Sequence, residues 1–169
     1  MREPKTGRSV TAVLGAPGAG KTTLVPELAK LLPDHVVLDW DAFMEPAAAL
    51  AERPIAANPE TWAAYRQLVH AVLRSVAHLP VVLLGVCTPD ELKDWPIGAW
   101  ILLDCTDDER ERRLAKTSNP QRRLEGVHDG RRYRQLGLPL IDTTGREPRA
   151  VASEMARFIR SLERRTTRS

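Results

Sequence analysis

Gly15, Ala16, Pro17, Gly18, Ala19, Gly20, Lys21 and Thr22 follow one another in the pattern G-x-x-x-x-G-K-[ST]. The apolar run Val10 to Leu14 precedes them and a helical stretch from Thr23 to Leu32 follows. Glycines at this spacing let the backbone turn tightly enough for successive N–H groups to face one anion, and the next helix brings the positive end of its dipole to the same point. The chemistry these residues suit is the holding of a nucleoside triphosphate, with Thr23 at the edge of the cradle. Lys21 then serves the β- and γ-phosphates, and the hydroxyl of Thr22 serves Mg²⁺.

A second constellation, Leu38-Asp39-Trp40-Asp41-Ala42-Phe43, stands at the carboxyl end of the next apolar run. Ligands of open parallel sheets bind at that edge. Residues two apart on an extended segment share a side, so both carboxylates are expected to face the space before the phosphate loop. Asp39 is the candidate for the metal and Asp41 for accepting a proton from an acceptor hydroxyl. A solvated turn is the plainer reading of the same residues.

Around these lie groups with two readings each. Gly85-Val-Cys-Thr88 ends another apolar run at the same edge and lines an acceptor site or forms an ordinary strand-to-helix turn, with Pro89 to Leu92 as the helix start. Trp40 and Phe43 are expected in the pocket, Trp62 and Tyr65 in the core. Arg110, Arg112, Arg113, Arg122, Arg123, Arg131, Arg132 and Arg134 alternate with acids, and each singly reads as part of a solvated basic face. Taken together, two of them suit the charge on a phosphoryl group in transfer. The histidines His35, His70, His78 and His128 form no metal pattern.

Periodicity predicts the strands and helices that carry these groups. Apolar runs at Val10–Leu14, His35–Leu38, Pro80–Leu84, Ala99–Leu103 and Leu138–Ile141 alternate with helical patterns. They lack strict alternation, which predicts a parallel sheet covered on both faces, a three-layer α/β/α sandwich. The clearest helix opens at Asn58-Pro59-Glu60, runs through Trp62, Tyr65, Leu68, Val69, Val72, Leu73, Val76 and Leu79, and stops at Pro80. Phe43 to Ala57 and Lys116 to Gln135 read as mobile coverings, and Arg164 to Ser169 as a basic tail.

With 169 residues, 43% of them apolar, the chain has the material for one domain with a real core, expected over 9–160. The segment 43–79 is assigned to the acceptor side and 116–135 to a lid. A net charge of +3 is too small to dictate a nucleic-acid partner. Cys87 and Cys105 lie in apolar runs and read as buried free thiols of a reducing compartment. No run approaches membrane-spanning length, so a soluble, cytoplasmic protein without a membrane partner is expected. No motif specifies an oligomeric state.

The phosphate loop followed one helix later by Asp-x-Asp resembles the small P-loop kinases grouped around shikimate, gluconate, adenylyl-sulfate and nucleotide kinases and the chloramphenicol phosphotransferase. Trp100 to Leu114 is similar to their fourth strand, acidic turn and Arg-bearing helix, and Leu140-Ile-Asp-Thr-Thr-Gly145 to their last strand and adenine loop. The resemblance implies a P-loop NTPase sheet ordered 2-3-1-4-5, ATP with Mg²⁺, and transfer of the γ-phosphoryl group to a small-molecule acceptor. It implies Arg113 near the adenine or phosphates, and Arg122 and Arg123 as lid arginines acting in catalysis beside Lys21 and Asp41. Many such kinases carry an acid in the third strand, whereas Val81 to Cys87 has none, so metal orientation falls to Thr22 and Asp39.

Rival functions fare differently. A regulatory GTPase would use Asp142-Thr-Thr-Gly145, but no guanine-reading Asn-Lys-x-Asp follows. An assembly ATPase would use Asp104 at the end of an apolar strand, leaving Asp39 and Asp41 unexplained. A kinase acting on the 5′ end of a nucleic acid through the Arg-rich lid stays open.

Overall fold

The structure, a computed structural model, describes residues 10–56, 58–116 and 120–166, with the side chains of 120–122 and 166 outside the described set. Five parallel strands, β1 (Val10–Leu14), β2 (Val36–Asp39), β3 (Val81–Gly85), β4 (Ile97–Asp104) and β5 (Leu140–Asp142), form one sheet in the order β2-β3-β1-β4-β5. Among the described residues six α-helices accompany them: α1 (Lys21–Leu31), α2 (Met44–Ala51), α3 (Pro59–Ser75), α4 (Asp107–Leu114), α5 (Pro120–Arg134) and α6 (Pro148–Thr166).

The absence of alternation in the strand sequences has its cause in burial on both faces. Val82 and Leu84 of β3 pack with Leu24 and Leu28 of α1 and Met155 and Ile159 of α6. Val81 and Leu83 of the same strand pack with Tyr65, Val69 and Leu73 of α3 on the opposite face. Helices therefore cover both sides, as the sequence predicts, and the order of the strands matches the one implied by the resemblance. Cys87 and Cys105 are both buried and free. Among the described residues no helix is long and apolar enough to cross a membrane.

Several elements depart from expectation. Helix α3 is capped as read, with the Glu60 N–H donating to Asn58 Oδ1 at 2.9 Å, but it ends at Ser75, short of Pro80. Leu68, expected in its core stripe, is 50% exposed. Pro89 to Leu92 starts no helix. The stretch between β3 and β4 is a pair of turns closed by Leu92 N–H to Thr88 O and Trp95 N–H to Leu92 O, and Pro96 ends them. The Phe43–Ala57 covering contains α2, preceded by a 3₁₀ turn over Asp41–Phe43. The Lys116–Gln135 covering contains the 15-residue α5. That helix has almost no apolar stripe because its inward side is made of Gly126, Gly130 and Tyr133, so it approaches closely instead of burying large side chains.

Candidate active site

The phosphate loop leaves β1 at Leu14 and enters α1 at Lys21, at the carboxyl edge of the central strand. Two of its residues, Gly18 (φ 82°) and Gly20 (φ 100°), take left-handed backbone conformations that a side chain would strain. Helix α1 begins without a side-chain cap and without an acid in its first turn. Its first N–H groups and positive dipole end are thus left for an outside anion.

Side chains from distant elements pin the outer carbonyls of the loop. Arg110 Nη1 donates to Pro17 O at 2.6 Å, Arg113 Nη1 to Gly18 O at 3.1 Å, and the Thr143 hydroxyl to Ala19 O at 3.0 Å. In a planar trans peptide the N–H points opposite to the C=O. Pinning the Pro17 and Ala19 carbonyls therefore turns the N–H groups of Gly18 and Gly20 the other way. Nothing along the chain marks Arg110 or Thr143 for this role, and Arg110 is not part of a solvated face: it is 0% exposed.

Lys21 is buried, its Nζ donating to Gly15 O at 2.6 Å and lying 3.4 Å from Asp41 Oδ2. Asp39, 8% exposed, accepts the Asp41 N–H on Oδ1 at 2.9 Å, and its Oδ2 stands 3.5 Å from the Thr22 hydroxyl. Burial raises the Asp39 pKa above its usual value, and the Asp41 N–H and Lys21 oppose the rise. Asp41 is partly exposed, yet its Oδ1 is buried without a hydrogen-bond partner. Both carboxylates reach the phosphate loop, but not by strand alternation. The strand stops at Asp39, whose side chain captures the Asp41 N–H, and the chain then winds into the 3₁₀ turn.

That turn corrects the expected pocket. Trp40, 1% exposed, packs into the core with its ring 5.5 Å from Tyr65, edge to face, and 5.4 Å from Trp95. Gly85 makes room for that ring: a Cβ there would stand 3.0 Å from Trp40 Cβ. Trp40 is thus part of the core and not a pocket wall. Phe43 is half-buried against the same cluster, Trp62 is partly buried, and Tyr65 is in the core with its hydroxyl donating to Trp40 O.

Beside Gly20 and Thr23 opens a cleft of about 270 Å³ lined by Arg113, Thr143, Arg146 and Val151. Arg113 is braced there by Glu109 at 2.7 Å and by the Thr143 carbonyl at 2.8 Å. The Arg123 guanidinium donates to the carbonyls of Leu114 (3.1 Å) and Ala115 (2.7 Å), at the end of α4. The Arg122 side chain lies outside the described residues. Asp104, the acid weighed for an assembly ATPase, is buried and paired with Arg110 and Arg134.

Among the described residues no group of three His, Cys, Asp or Glu side chains could hold a metal unaided. The Thr22 hydroxyl and the buried Asp39 carboxylate are hard oxygen donors, which fits Mg²⁺ shared with nucleotide phosphates and water rather than caged by protein.

Sheet order, glycine cradle and edge carboxylates define the P-loop class of three-layer α/β proteins. A family profile described as an AAA domain matches residues 12–134, and the chain belongs to that family. Among solved structures, the chain is similar to a shikimate kinase from Acinetobacter baumannii in complex with shikimate (20% identity, 92% of this chain and 95% of that one, TM-score 0.61). It is also similar to a gluconokinase from Sinorhizobium meliloti (15%, 98% and 99%, TM-score 0.67) and a tunicamycin resistance protein from Deinococcus radiodurans (17%, 89% and 95%, TM-score 0.64). The search of curated proteins gives no match.

Proposed function

We propose that this protein is an ATP-dependent phosphotransferase that moves the γ-phosphoryl group to a hydroxyl or phosphate of a small-molecule acceptor. The observation that carries this reading is Asp41. Its carboxylate lies 3.4 Å from Lys21 at the mouth of the phosphate cradle, and one of its oxygens has no protein partner. A protein that only bound nucleotide would have no need of a second carboxylate there beyond the one beside Thr22, and stimulation of turnover by an acceptor separates transfer from hydrolysis by the same base.

In this reading the acceptor oxygen attacks the γ-phosphorus, its proton passes to Asp41, and the bond to the bridging oxygen of ADP breaks. Lys21 and the loop N–H groups stabilise the charge on the transferring oxygens, and the cleft beside Arg113, Thr143 and Arg146 receives the nucleobase. Thr22 and Asp39 would hold Mg²⁺, which when bound neutralises phosphate charge and orients the γ-phosphate. Arg122 and Arg123, at the start of α5, are assigned to the transferring phosphate. Arg123 would have to leave the α4 carbonyls to reach it, a change that closure of α5 would supply. A cytoplasmic location accords with this substrate class.

The test is acceptor-stimulated release of ADP over nucleosides, nucleotides, sugar acids, antibiotics and 5′-hydroxyl oligonucleotides. Stimulation by one class, lost in Lys21→Ala by about 10²–10³-fold, is expected. Asp41→Asn should keep ATP affinity and lower transfer by about 10²–10⁴-fold. Hydrolysis unmoved by every acceptor, or unchanged transfer in Asp41→Asn, would sink the reading or the assignment of the base respectively.

A further inference from the structure

The buried charge cluster behind the phosphate loop is not used by the chemistry above. Arg110 of α4 is fully enclosed. One arm of its guanidinium donates to Pro17 O at 2.6 Å and the other to Asp104 Oδ1, while its Nε is buried without a partner. The other carboxylate oxygen of Asp104 accepts from Arg134 Nε of α5 at 2.5 Å. Arg134 also donates to Cys105 O at 2.8 Å and pairs with Asp107 at 2.9 Å. A single buried carboxylate thus joins one arginine that grips the phosphate loop to another that belongs to α5.

The same surfaces touch directly. A Cβ on Gly130 of α5 would stand 2.9 Å from Arg110 Nε, and one on Gly126 would stand 3.1 Å from Pro17 O. On the loop side, a Cβ on Gly18 would meet Arg110 Cγ at 3.0 Å. The guanidinium is therefore sandwiched between the loop and the glycine face of α5. Movement of Pro17 on filling of the cradle would reach α5 through these close, charge-paired contacts.

We propose that Arg110, Asp104 and Arg134 are positioning residues that couple the phosphate loop to α5, so that nucleotide in the loop sets the placement of that helix. This rests on the nucleotide-binding part of the proposed function and not on transfer. Arg110 shapes the cradle and Arg134 carries its state to α5; the two arms separate experimentally.

The experiment measures Mg·ADP affinity by calorimetry and amide hydrogen exchange across 120–134, with and without Mg·ADP, in the full chain. In the wild type, Mg·ADP is expected to slow exchange in α5. Arg134→Gln should leave affinity within about threefold but abolish most of that slowing. Arg110→Lys keeps the charge opposite Asp104 but loses the fork, so affinity should weaken about tenfold or more, as for other supporting residues behind a ligand site. Should Arg110→Lys fail to fold, Gly130→Ala displaces the same guanidinium without changing charge and should also weaken affinity. Lowered Tm in these variants with unchanged affinity and unchanged α5 protection would mean a purely structural cluster and overturn the proposal. Absence of acceptor turnover in the wild type would overturn the transferase reading while leaving this one standing, and absence of Mg·ADP binding would overturn both.

Discussion

Asp39 is a buried carboxylate that works against the stability of the nucleotide-free protein. Burial outweighs its hydrogen bonds and raises its pKa. A carboxylate whose folded pKa lies above the unfolded 3.8 binds more protons in the folded state, so its contribution to stability declines as pH rises from 3.8 through the raised folded value. Above that window the charged group is a standing cost. Asp39→Asn should therefore raise the Tm of the nucleotide-free protein at neutral pH by about 2–4 °C while weakening Mg·ADP binding at least about tenfold. Scanning calorimetry and titration calorimetry on the same sample check the pair of effects. Asn can still accept the Asp41 N–H, so the turn that carries Asp41 should survive.

At the scale of elements, the end of β2 and the end of β3 are fitted to each other. Trp40 is wedged over Gly85 and held by Tyr65 and Trp95, so it has nowhere to yield. Gly85→Ala should cost about 1–3 kcal/mol in urea unfolding, the usual range for overpacking, and shift the 3₁₀ turn bearing Asp41. Two residues beyond, Cys87 is buried and its thiol is pushed up to about 12, by desolvation first and by Glu91 next. Native protein at neutral pH should thus resist alkylation at this position, whereas protein in denaturant should be labelled rapidly, as peptide mapping by mass spectrometry would read. Labelling of the native Cys87 at the unfolded rate would contradict the packing of this edge.

The whole molecule should answer nucleotide as one body, because the loop, α4, α5 and the end of β5 share contacts through Arg110, Arg113, Arg134 and Thr143. Mg·ADP at a hundred times its Kd stabilises the folded state by about 2.7 kcal/mol through mass action alone. For a chain of this size the Tm should rise by about 5–10 °C. Lys21→Ala should abolish most of that rise. The modest net charge of +3 argues that oligonucleotide binding, where present, is weak at physiological salt.

Features whose physics is local are legible along the chain. The glycine spacing and Lys-Thr ending at Gly15 to Thr22 placed the phosphate cradle, and unbroken apolar runs announced strands buried on both faces. Asn58 and Pro59 announced the start of α3 because a cap and a fixed φ act within one turn. Features that depend on which residues pack against which emerge only in the folded chain. Asp41 reached the cradle through a turn captured by Asp39, sending Trp40 to the core, since a polar side chain bonding its own backbone can end a strand where propensity alone would extend it. Arg110 looked like any surface arginine of α4. It became the brace of the phosphate loop only because the carboxylate of Asp104, the carbonyl of Pro17 and the glycine face of α5 converge on it from three separate elements. A buried charge is tolerable only where such partners meet, and no pattern along the chain records that meeting.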